Sequence, residues 1–246
     1  GSDGAPPYPP MSDVLNRLGI PVMAPYAPAN LDWGPDLVIV GNVIRRTNPE
    51  AEALLASGRA YLSLPQALHD HFLAGHRPLV VAGTHGKTTT SSLVAHLLHA
   101  QRFDPGFMIG GIPLDFMSNY RLGQGPFFVV EGDEYDTAFF DKEPKFLHYA
   151  PQAAIINNIE FDHADIYRDL DHVVSAFAKL SNLMPPKAPL IVPAKDPNCA
   201  LAAAVTRGRV VTFGLDHGMW QAHLLSREAG VTTFDLGGGS GDAQFA

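Results

Sequence analysis

Residues 78–100, PLVVAGTHGKTTTSSLVAHLLHA, constrain the fold of this chain more than any other segment. The apolar run Leu79–Ala82 is typical of a short buried strand, and a glycine-containing loop follows it directly. After the loop, four apolar residues recur at i, i+4 spacing and predict one apolar face of a helix that begins near Thr88. These four residues are Leu93, Val94, Leu97 and Leu98. The segment therefore predicts a strand, a sharp turn and a helix in immediate succession.

The loop between this strand and helix has the composition of a phosphate cradle. Without Cβ atoms, Gly83 and Gly86 let the backbone turn sharply and approach a polyphosphate closely. The loop N–H groups and the positive end of the helix dipole then face the anion. Lys87 adds a mobile positive charge for the outer phosphates, and the Thr88 hydroxyl can ligate a bridging magnesium ion. An ordinary strand-to-helix turn is the alternative, but it leaves Lys87 and the four hydroxyl residues 88–91 unexplained, apart from N-capping by one of them.

The loop differs from the general phosphate-loop pattern in length. GTHGKTTT has two residues between its glycines where the general pattern has four, and Val81 stands where that pattern has glycine. The context of strand, loop and helix therefore carries the assignment more than the motif does.

Charge and composition exclude several classes of function. The net charge is −8 with 17 Lys and Arg residues among 246, and no basic run occurs, so nucleic acid is not expected as a partner. No stretch reaches the ~20 apolar residues of a membrane span, and we expect a cytoplasmic protein without membrane association. The single cysteine, Cys199, cannot form an internal disulfide and is expected to be a small buried residue.

Strands and helices alternate along the chain and predict an α/β fold. One convincing strand, Leu37–Val40, precedes Gly75, with helices near residues 12–18, 49–57 and 64–73. After Gly75, further apolar runs alternate with helical patterns, which indicates a doubly wound, mainly parallel sheet. These runs are Leu79–Ala82, Phe127–Val130, Ala153–Ile156, Leu190–Val192 and Val210–Phe213. An edge strand is expected at residues 230–234.

Carboxylates and amides follow two more of these strands. Residues 131–136, EGDEYD, end the run Phe127–Val130, and residues 157–165, NNIEFDHAD, follow Ala153–Ile156. Ligands of open α/β sheets bind at the carboxyl ends of strands, so both segments are expected beside the phosphate loop. Acidic loops are usually solvated turns, but a phosphate loop calls for oxygen ligands to magnesium.

Five ordered motifs give the chain a resemblance to the Mur ligase family: YPPMS, GNVIRRTNPE, GTHGKTTT, EGDEYDTAFFDK and IINNIEFDHADIY. The match runs to about Asn198. Within the family, the EYDTAFFDK segment resembles ligases of peptidoglycan recycling more than the L-alanine ligases, whose corresponding segment typically reads DESDASF. The resemblance implies a Rossmann-like N-terminal domain, shortened at its start, followed by a mainly parallel central domain with the phosphate loop.

Roles for individual residues follow from the resemblance. Lys87 would contact the ATP phosphates, while Thr88 and Glu131 would hold a first magnesium ion. His163 would reach a second magnesium ion, although a lone histidine is normally structural and magnesium prefers oxygen. The remaining residues expected to contact ATP are Gly83, Thr84, His85, Gly86, Thr89 and Asn157.

The resemblance also implies contacts with a UDP-sugar substrate. Ser2 and Asp3 match the end of a strand that borders the uridine nucleotide, and Asn42 and Asn48 lie in its other wall. Glu134 and Asp136 are expected to contact substrate. Residues 1–76 would then form a partial UDP-sugar-binding domain and residues 77–246 the central ATP-binding domain, with the third, C-terminal ligase domain expected to be absent.

The activity implied by the resemblance is ATP-dependent amide ligation through an acyl phosphate. The tripeptide L-Ala-γ-D-Glu-meso-diaminopimelate would be joined to UDP-N-acetylmuramate during peptidoglycan recycling. Two alternatives stay open from the sequence: the amine could be L-alanine, or these residues could bind nucleotide without ligation. We expect the isolated chain to be inactive as a ligase.

Overall fold

The computed structural model describes residues 1–162, 166–228 and 231–238 of this chain. Six α-helices are present in these ranges: α1 (Met11–Arg17), α2 (Pro49–Ser57), α3 (Leu64–Leu68), α4 (Lys87–Ala100), α5 (Leu170–Asn182) and α6 (Pro197–Ala203). A π-helical turn, His69–Leu73, continues α3, and short 3₁₀ helices cover Pro28–Leu31 and Lys145–His148.

Thirteen strands lie in the same described ranges. They are β1 (Leu37–Val40), β2 (Ala60–Ser63), β3 (Arg77–Ala82), β4 (Gly106–Met108), β5 (Tyr120–Arg121), β6 (Phe127–Gly132), β7 (Asp136–Ala138), β8 (Asp141–Pro144), β9 (Ala153–Ile156), β10 (Pro189–Pro193), β11 (Arg209–Gly214), β12 (Trp220–Glu228) and β13 (Val231–Gly238).

The contacts of the described residues divide the chain into two units. The first contains residues 1–67 and 136–142, and the second contains the described residues of 68–135 and 143–246. The chain therefore leaves the second unit after Tyr135, contributes seven residues to the first and returns at Glu143.

The first unit contains a two-stranded parallel sheet, β1 and β2. The sequence analysis found only β1, so its prediction of a single strand before Gly75 was wrong. The strand β2 reads AYLS, and so short a run shows no clear alternation of apolar and polar residues. Leu31, Val40 and Leu54 form the core of this unit, with Phe139 and Phe140 packed against it.

A nine-stranded, mainly parallel sheet organises the second unit, with the order β13-β12-β11-β10-β9-β3-β6-β4-β5. The strand β5 runs antiparallel to β4, and β13 runs antiparallel to β12, whereas the pairs between β4 and β12 are parallel. The predicted α/β class and mainly parallel sheet are confirmed. The strand β3 is central, and Val80, Val81 and Ala82 are at most 1% exposed.

The helix α4 packs on this sheet through only part of the face that we predicted. Ala95 is fully buried and packs with Val94 and Leu98, but Leu93 and Leu97 are 57% and 61% exposed. Neighbouring residues on a helix lie about 100° apart, so the four apolar residues form two stripes and only one can face the sheet.

Candidate functional site

The carboxyl ends of three neighbouring strands define the site. The strands β9, β3 and β6 are parallel, with Ala82 paired with Ile156 on one side and with Gly132 on the other. The phosphate loop follows β3, Glu131 lies at the end of β6, and residues 157–160 follow β9. The expected convergence of these three strand ends is confirmed.

The loop of residues 83–86 has the predicted sharp turns. Gly83 has φ = 134° and Gly86 has φ = 79°, values that favour glycine. A Cβ atom on Gly83 would lie 3.0 Å from the Asn157 Cβ atom, so the backbone passes very close to the segment after β9. Gly86 is the N-cap of α4 and provides no side-chain cap. The first N–H groups of α4 therefore lack intrahelical acceptors and can face an anion.

Lys87 is held in place by the protein, where the sequence had indicated a mobile charge. Its ammonium donates to both carboxylate oxygens of Glu134, at 2.7 and 3.0 Å, and to the Gly83 carbonyl oxygen at 2.8 Å. A longer contact, 3.4 Å, reaches the Thr84 carbonyl oxygen. The Glu134 side chain is only 2% exposed and that of Lys87 is 16% exposed. A buried ion pair thus fixes the lysine at the loop.

Thr88 and Glu131 are brought together as expected for two magnesium ligands. The Thr88 hydroxyl lies 3.3 Å from the Glu131 Oε2 atom. The Gly110 N–H donates to Glu131 Oε1 at 2.7 Å and orients the carboxylate toward the start of α4. Gly110 belongs to the loop after β4, which the sequence analysis did not assign to the site.

This oxygen pair fits a magnesium ion that also binds phosphate, because magnesium takes few protein ligands together with phosphate oxygens and water. Within residues 1–162, 166–228 and 231–238, no group of three or more His, Cys, Asp or Glu side chains is arranged to hold a metal ion by itself. His163, predicted to reach a second magnesium ion, lies outside the described residues.

The carboxylates near this edge also act on Tyr149. Burial raises the pKa of the Tyr149 phenol, and the negative charges of Asp133 and Glu131 add to the effect. The phenol therefore stays protonated at neutral pH. Asp133 is itself paired with Lys145, whose Nζ atom lies 2.6 Å from Asp133 Oδ2.

The segment after β9 lies against the phosphate loop. The Asn157 Nδ2 atom donates to the His85 carbonyl oxygen at 3.2 Å and to the Thr90 hydroxyl at 3.1 Å. Asn158 contacts the loop as well, through both its backbone and its side chain. The sequence analysis assigned Asn157 and missed Asn158, although the Asn-Asn pair directly after a buried strand was a visible signal. Thr89, the remaining residue expected to contact ATP, lies exposed in the first turn of α4.

In the first unit, Ser2 and Asn48 line a common cavity of about 170 Å³. The Ser2 hydroxyl lies 2.5 Å from Glu50 Oε1, and the Asn48 side-chain Oδ1 atom accepts from the backbone N–H groups of Glu50 and Ala51. Asn48 therefore caps α2, which explains its position without a ligand. The remaining lining is mostly apolar, with aliphatic side chains from β1, the turn after it and α2.

Asp3 and Asn42 have different surroundings. Asp3 accepts from the Tyr26 hydroxyl at 3.3 Å, and Tyr26 lines the same cavity. Burial of Tyr26 raises the pKa of its phenol, with the Asp3 charge as the second cause. Asn42 is exposed in the turn after β1, and the described residues that line the cavity do not include it.

The two expected substrate contacts after β6 fall into different units. Glu134 belongs to the second unit and pairs with Lys87, while Asp136 belongs to the first and pairs with Lys142 at 2.9 Å.

Among the described residues, none of the helices combines the length and the apolar character needed to cross a bilayer.

Comparison with known proteins identifies the family of this chain. Residues 81–244 match the Mur ligase middle domain, and residues 1–76 match the catalytic domain of the Mur ligase family. The Escherichia coli (strain K12) protein named UDP-N-acetylmuramate–L-alanyl-gamma-D-glutamyl-meso-2,6-diaminoheptandioate ligase is 44% identical over 229 residues, which are 93% of this chain and 50% of that protein.

Two further relatives place this similarity in context. A Rubrobacter xylanophilus protein named UDP-N-acetylmuramate–L-alanine ligase is 39% identical over 192 residues, 78% of this chain and 41% of that protein. The crystal structure of the UDP-N-acetylmuramate:L-alanyl-gamma-D-glutamyl-meso-diaminopimelate ligase from Neisseria meningitides superposes with a TM-score of 0.90 at 41% identity, covering 97% of this chain and 75% of that one. The chain thus spans about half the length of these two curated relatives. From the two domain matches and this identity, the chain belongs to the Mur ligase family.

Proposed function

We propose that the protein is an ATP-dependent amide ligase that joins L-Ala-γ-D-Glu-meso-diaminopimelate to UDP-N-acetylmuramate in peptidoglycan recycling. One observation carries this proposal. The Lys87 ammonium, the uncapped start of α4 and the Thr88–Glu131 pair lie at one sheet edge of a chain that is 44% identical to a ligase named for these substrates. Residues 77–246 would bind ATP, and residues 1–76 would bind the UDP-sugar.

The phosphate groups of ATP would be held from two sides. The free N–H groups in the first turn of α4 supply directed donors, and the Lys87 ammonium supplies a full positive charge beside them. The lactyl carboxylate of UDP-N-acetylmuramate would bond to the γ-phosphorus as ADP leaves. The amino group of the tripeptide would then displace phosphate from the acyl phosphate. Fixed donors at the loop favour this transfer because they already point at the phosphate groups before negative charge moves in the transition state.

Thr88 and Glu131 would hold magnesium, and Gly110 fixes the carboxylate through its N–H. Once bound, the ion neutralises phosphate charge. The described residues suggest no covalent enzyme intermediate, since Cys199 is buried and burial raises the pKa of its thiol.

In the first unit, the cavity with Ser2 and Asn48 is our candidate for the uridine nucleotide. Its aliphatic walls could pack on the faces of a base, and the Glu50 and Ser2 oxygens at its edge could accept from ribose hydroxyls or base N–H groups. Asp3 contributes through Tyr26, to which it is hydrogen-bonded.

L-Alanine ligation is the second candidate, favoured by the 39% identity to the Rubrobacter xylanophilus protein. The two candidates share ATP and UDP-N-acetylmuramate and differ only in the amine.

Phosphate release tests the proposal directly. The protein would receive Mg-ATP, UDP-N-acetylmuramate and either the tripeptide or L-alanine, with calorimetry of Mg-ATP binding in parallel. Tripeptide-dependent release supports the proposal, and release with L-alanine alone selects the second candidate. Mg-ATP binding without release would assign to these 246 residues only the nucleotide-binding step, and the absence of both would contradict the nucleotide site.

A further inference from the structure

The segment after β9 binds the start of the phosphate loop through Thr84. The Thr84 N–H donates to the Asn158 carbonyl oxygen at 3.1 Å. The Thr84 hydroxyl accepts from the Glu160 N–H at 3.0 Å and donates to the Glu160 carbonyl oxygen at 3.3 Å. Thr84 is only 7% exposed, so these bonds are largely shielded from water. The loop is therefore attached to the segment after β9 at Thr84, one residue before the tip of the loop.

The tip of the loop, His85, pairs with the Asn158 side chain through both of its backbone polar groups, and its carbonyl oxygen also accepts from Asn157 Nδ2. The His85 N–H donates to Asn158 Oδ1 at 2.8 Å, and Asn158 Nδ2 donates to the His85 carbonyl oxygen at 3.2 Å. A carboxamide has a donor and an acceptor side by side, so it can pair with both polar groups of one residue at once. Both backbone dihedrals of His85 are thereby constrained.

This arrangement divides the loop amides into two groups. The N–H groups of Thr84 and His85 are used inside the protein, whereas the N–H groups at the start of α4 have no intrahelical acceptor. An anion would therefore be bound by the N–H groups at the start of α4. Thr84 and His85, the two residues before Gly86, would set the direction of these N–H groups. Because Gly86 at φ = 79° follows directly, a change in the His85 conformation would turn the first amides of α4 away from the phosphate.

We propose that Asn158 is a positioning residue of the phosphate loop, which sets the direction of the anion-binding amides by pairing with both backbone groups of His85. The inference rests on the proposed nucleotide site and extends it to a residue outside the glycine-lysine motif. Aspartate cannot replace asparagine fully, because it keeps the acceptor for the His85 N–H but loses the donor and adds a charge near the phosphates.

Two measurements on this 246-residue chain test the inference. Amide hydrogen exchange at His85 should become at least about tenfold faster in Asn158→Ala, because a protecting hydrogen bond is lost. The Mg-ATP Kd from calorimetry should rise about five- to tenfold, the effect of losing two modest hydrogen bonds. Asn158→Asp should keep the His85 amide protected and still bind Mg-ATP more weakly than the wild type.

A matched control separates positioning from general loss of stability. Asn198 Nδ2 donates to the Ile159 carbonyl oxygen at 2.8 Å, so Asn198→Ala removes a side-chain bond to the same segment but none to the loop. This variant should leave His85 exchange and the Mg-ATP Kd within about twofold of the wild type.

Three outcomes would count against the inference. Equal Mg-ATP affinity in Asn158→Ala and the wild type overturns it and leaves the proposed function intact. Equal weakening by Asn158→Ala and Asn198→Ala assigns the effect to stability and also overturns it. A wild-type chain that does not bind Mg-ATP removes the proposed nucleotide site and the inference together.

Discussion

The ammonium of Lys87 has two roles, so its replacement is expected to affect both nucleotide binding and stability. It is a candidate phosphate ligand, and it is also the counter-charge of Glu134, whose carboxylate is 2% exposed. Removing one partner of a buried ion pair leaves an uncompensated charge in a poorly solvated position. A loss of activity in a Lys87 variant therefore has two possible causes, and a stability measurement must accompany it.

Lys87→Ala is expected to lower the free energy of unfolding by about 3–5 kcal/mol, because the buried Glu134 carboxylate loses the ammonium that lies 2.7 Å from it. Adding Glu134→Gln should recover most of this loss while nucleotide binding stays weak. Urea denaturation of the wild type, both single variants and the double variant gives the coupling energy. The exposed pair Lys142–Asp136 is the control, since Lys142→Ala should cost at most about 1 kcal/mol. Equal losses for the two lysines would contradict the structural role of Lys87.

Glu131→Gln keeps the size of the side chain and its acceptor for the Gly110 N–H but removes the charge that would bind magnesium. The magnesium concentration at half-maximal ATP binding should rise about tenfold or more, with a smaller change in ATP affinity at saturating magnesium. Glu143→Gln, at an exposed pair with Lys179, is the matched control and should not shift the midpoint. A magnesium titration that superposes for Glu131→Gln and the wild type would remove Glu131 from the metal site.

At the scale of elements, local patterns predicted the parts that local physics determines. The glycine loop and α4 were predicted nearly to the residue, because the turn needs positive φ at Gly83 and Gly86 and the helix begins where they end. The strand β2 was missed because four residues carry too little periodicity. The stripe of Leu93 and Leu97 was assigned to the wrong side, since only packing against the sheet decides which stripe is buried.

The contacts of the site were harder to predict than its elements. Lys87 pairs with Glu134, 47 positions further along the chain, and His85 is hydrogen-bonded to Asn158, 73 positions further along. The sequence placed all four near one sheet edge through the alternation of strands and helices. Which of them would touch depends on strand order, and strand order has no local signature in the sequence.

In α6, Cys199 gives a prediction about pH. Burial raises the pKa of its thiol, with the charge of Asp196 as the second cause. An unfolded cysteine ionises near pH 8.5, so above that pH the unfolded state loses a proton that the folded state keeps. The free energy of unfolding should therefore fall above about pH 8.5, by at most ~1.4 kcal/mol per pH unit.

Urea denaturation at pH 8.0 to 9.5 measures this effect. Cys199→Ala should start from a lower stability, because it leaves a small cavity, but its stability should depend less on pH over this range. Identical slopes in the two proteins would show that the thiol does not contribute. Iodoacetamide should modify Cys199 only when the chain unfolds, since the side chain is 0% exposed.

At the scale of the whole molecule, burial across the nine-stranded sheet is uneven. The residues of β3 that end at the phosphate loop are almost fully buried, whereas the described residues of β13 at the sheet edge are exposed or half-buried. Amide exchange should follow this gradient, because edge strands open by local fluctuations and a central strand exchanges only in larger unfolding events.

Amide exchange of residues 77–82 is expected to be slower than that of residues 231–238 by about two orders of magnitude or more. This is the difference expected between sub-global opening and fraying of an edge strand. Mass spectrometry of exchanged peptides checks this, with β10 at residues 189–193 as an internal standard of intermediate position in the sheet. Similar rates for the central and edge strands would mean that the sheet opens as one cooperative unit.

The seven residues 136–142 have a consequence for synthesis on the ribosome. Phe139 and Phe140 pack against the core of the first unit, yet they are translated after residues 68–135 of the second unit. At ~5–20 residues per second, the nascent first 67 residues wait for seconds without these two rings. The first unit can therefore cover the core surface that these two rings contact only after residues 68–135 of the second unit have been synthesised.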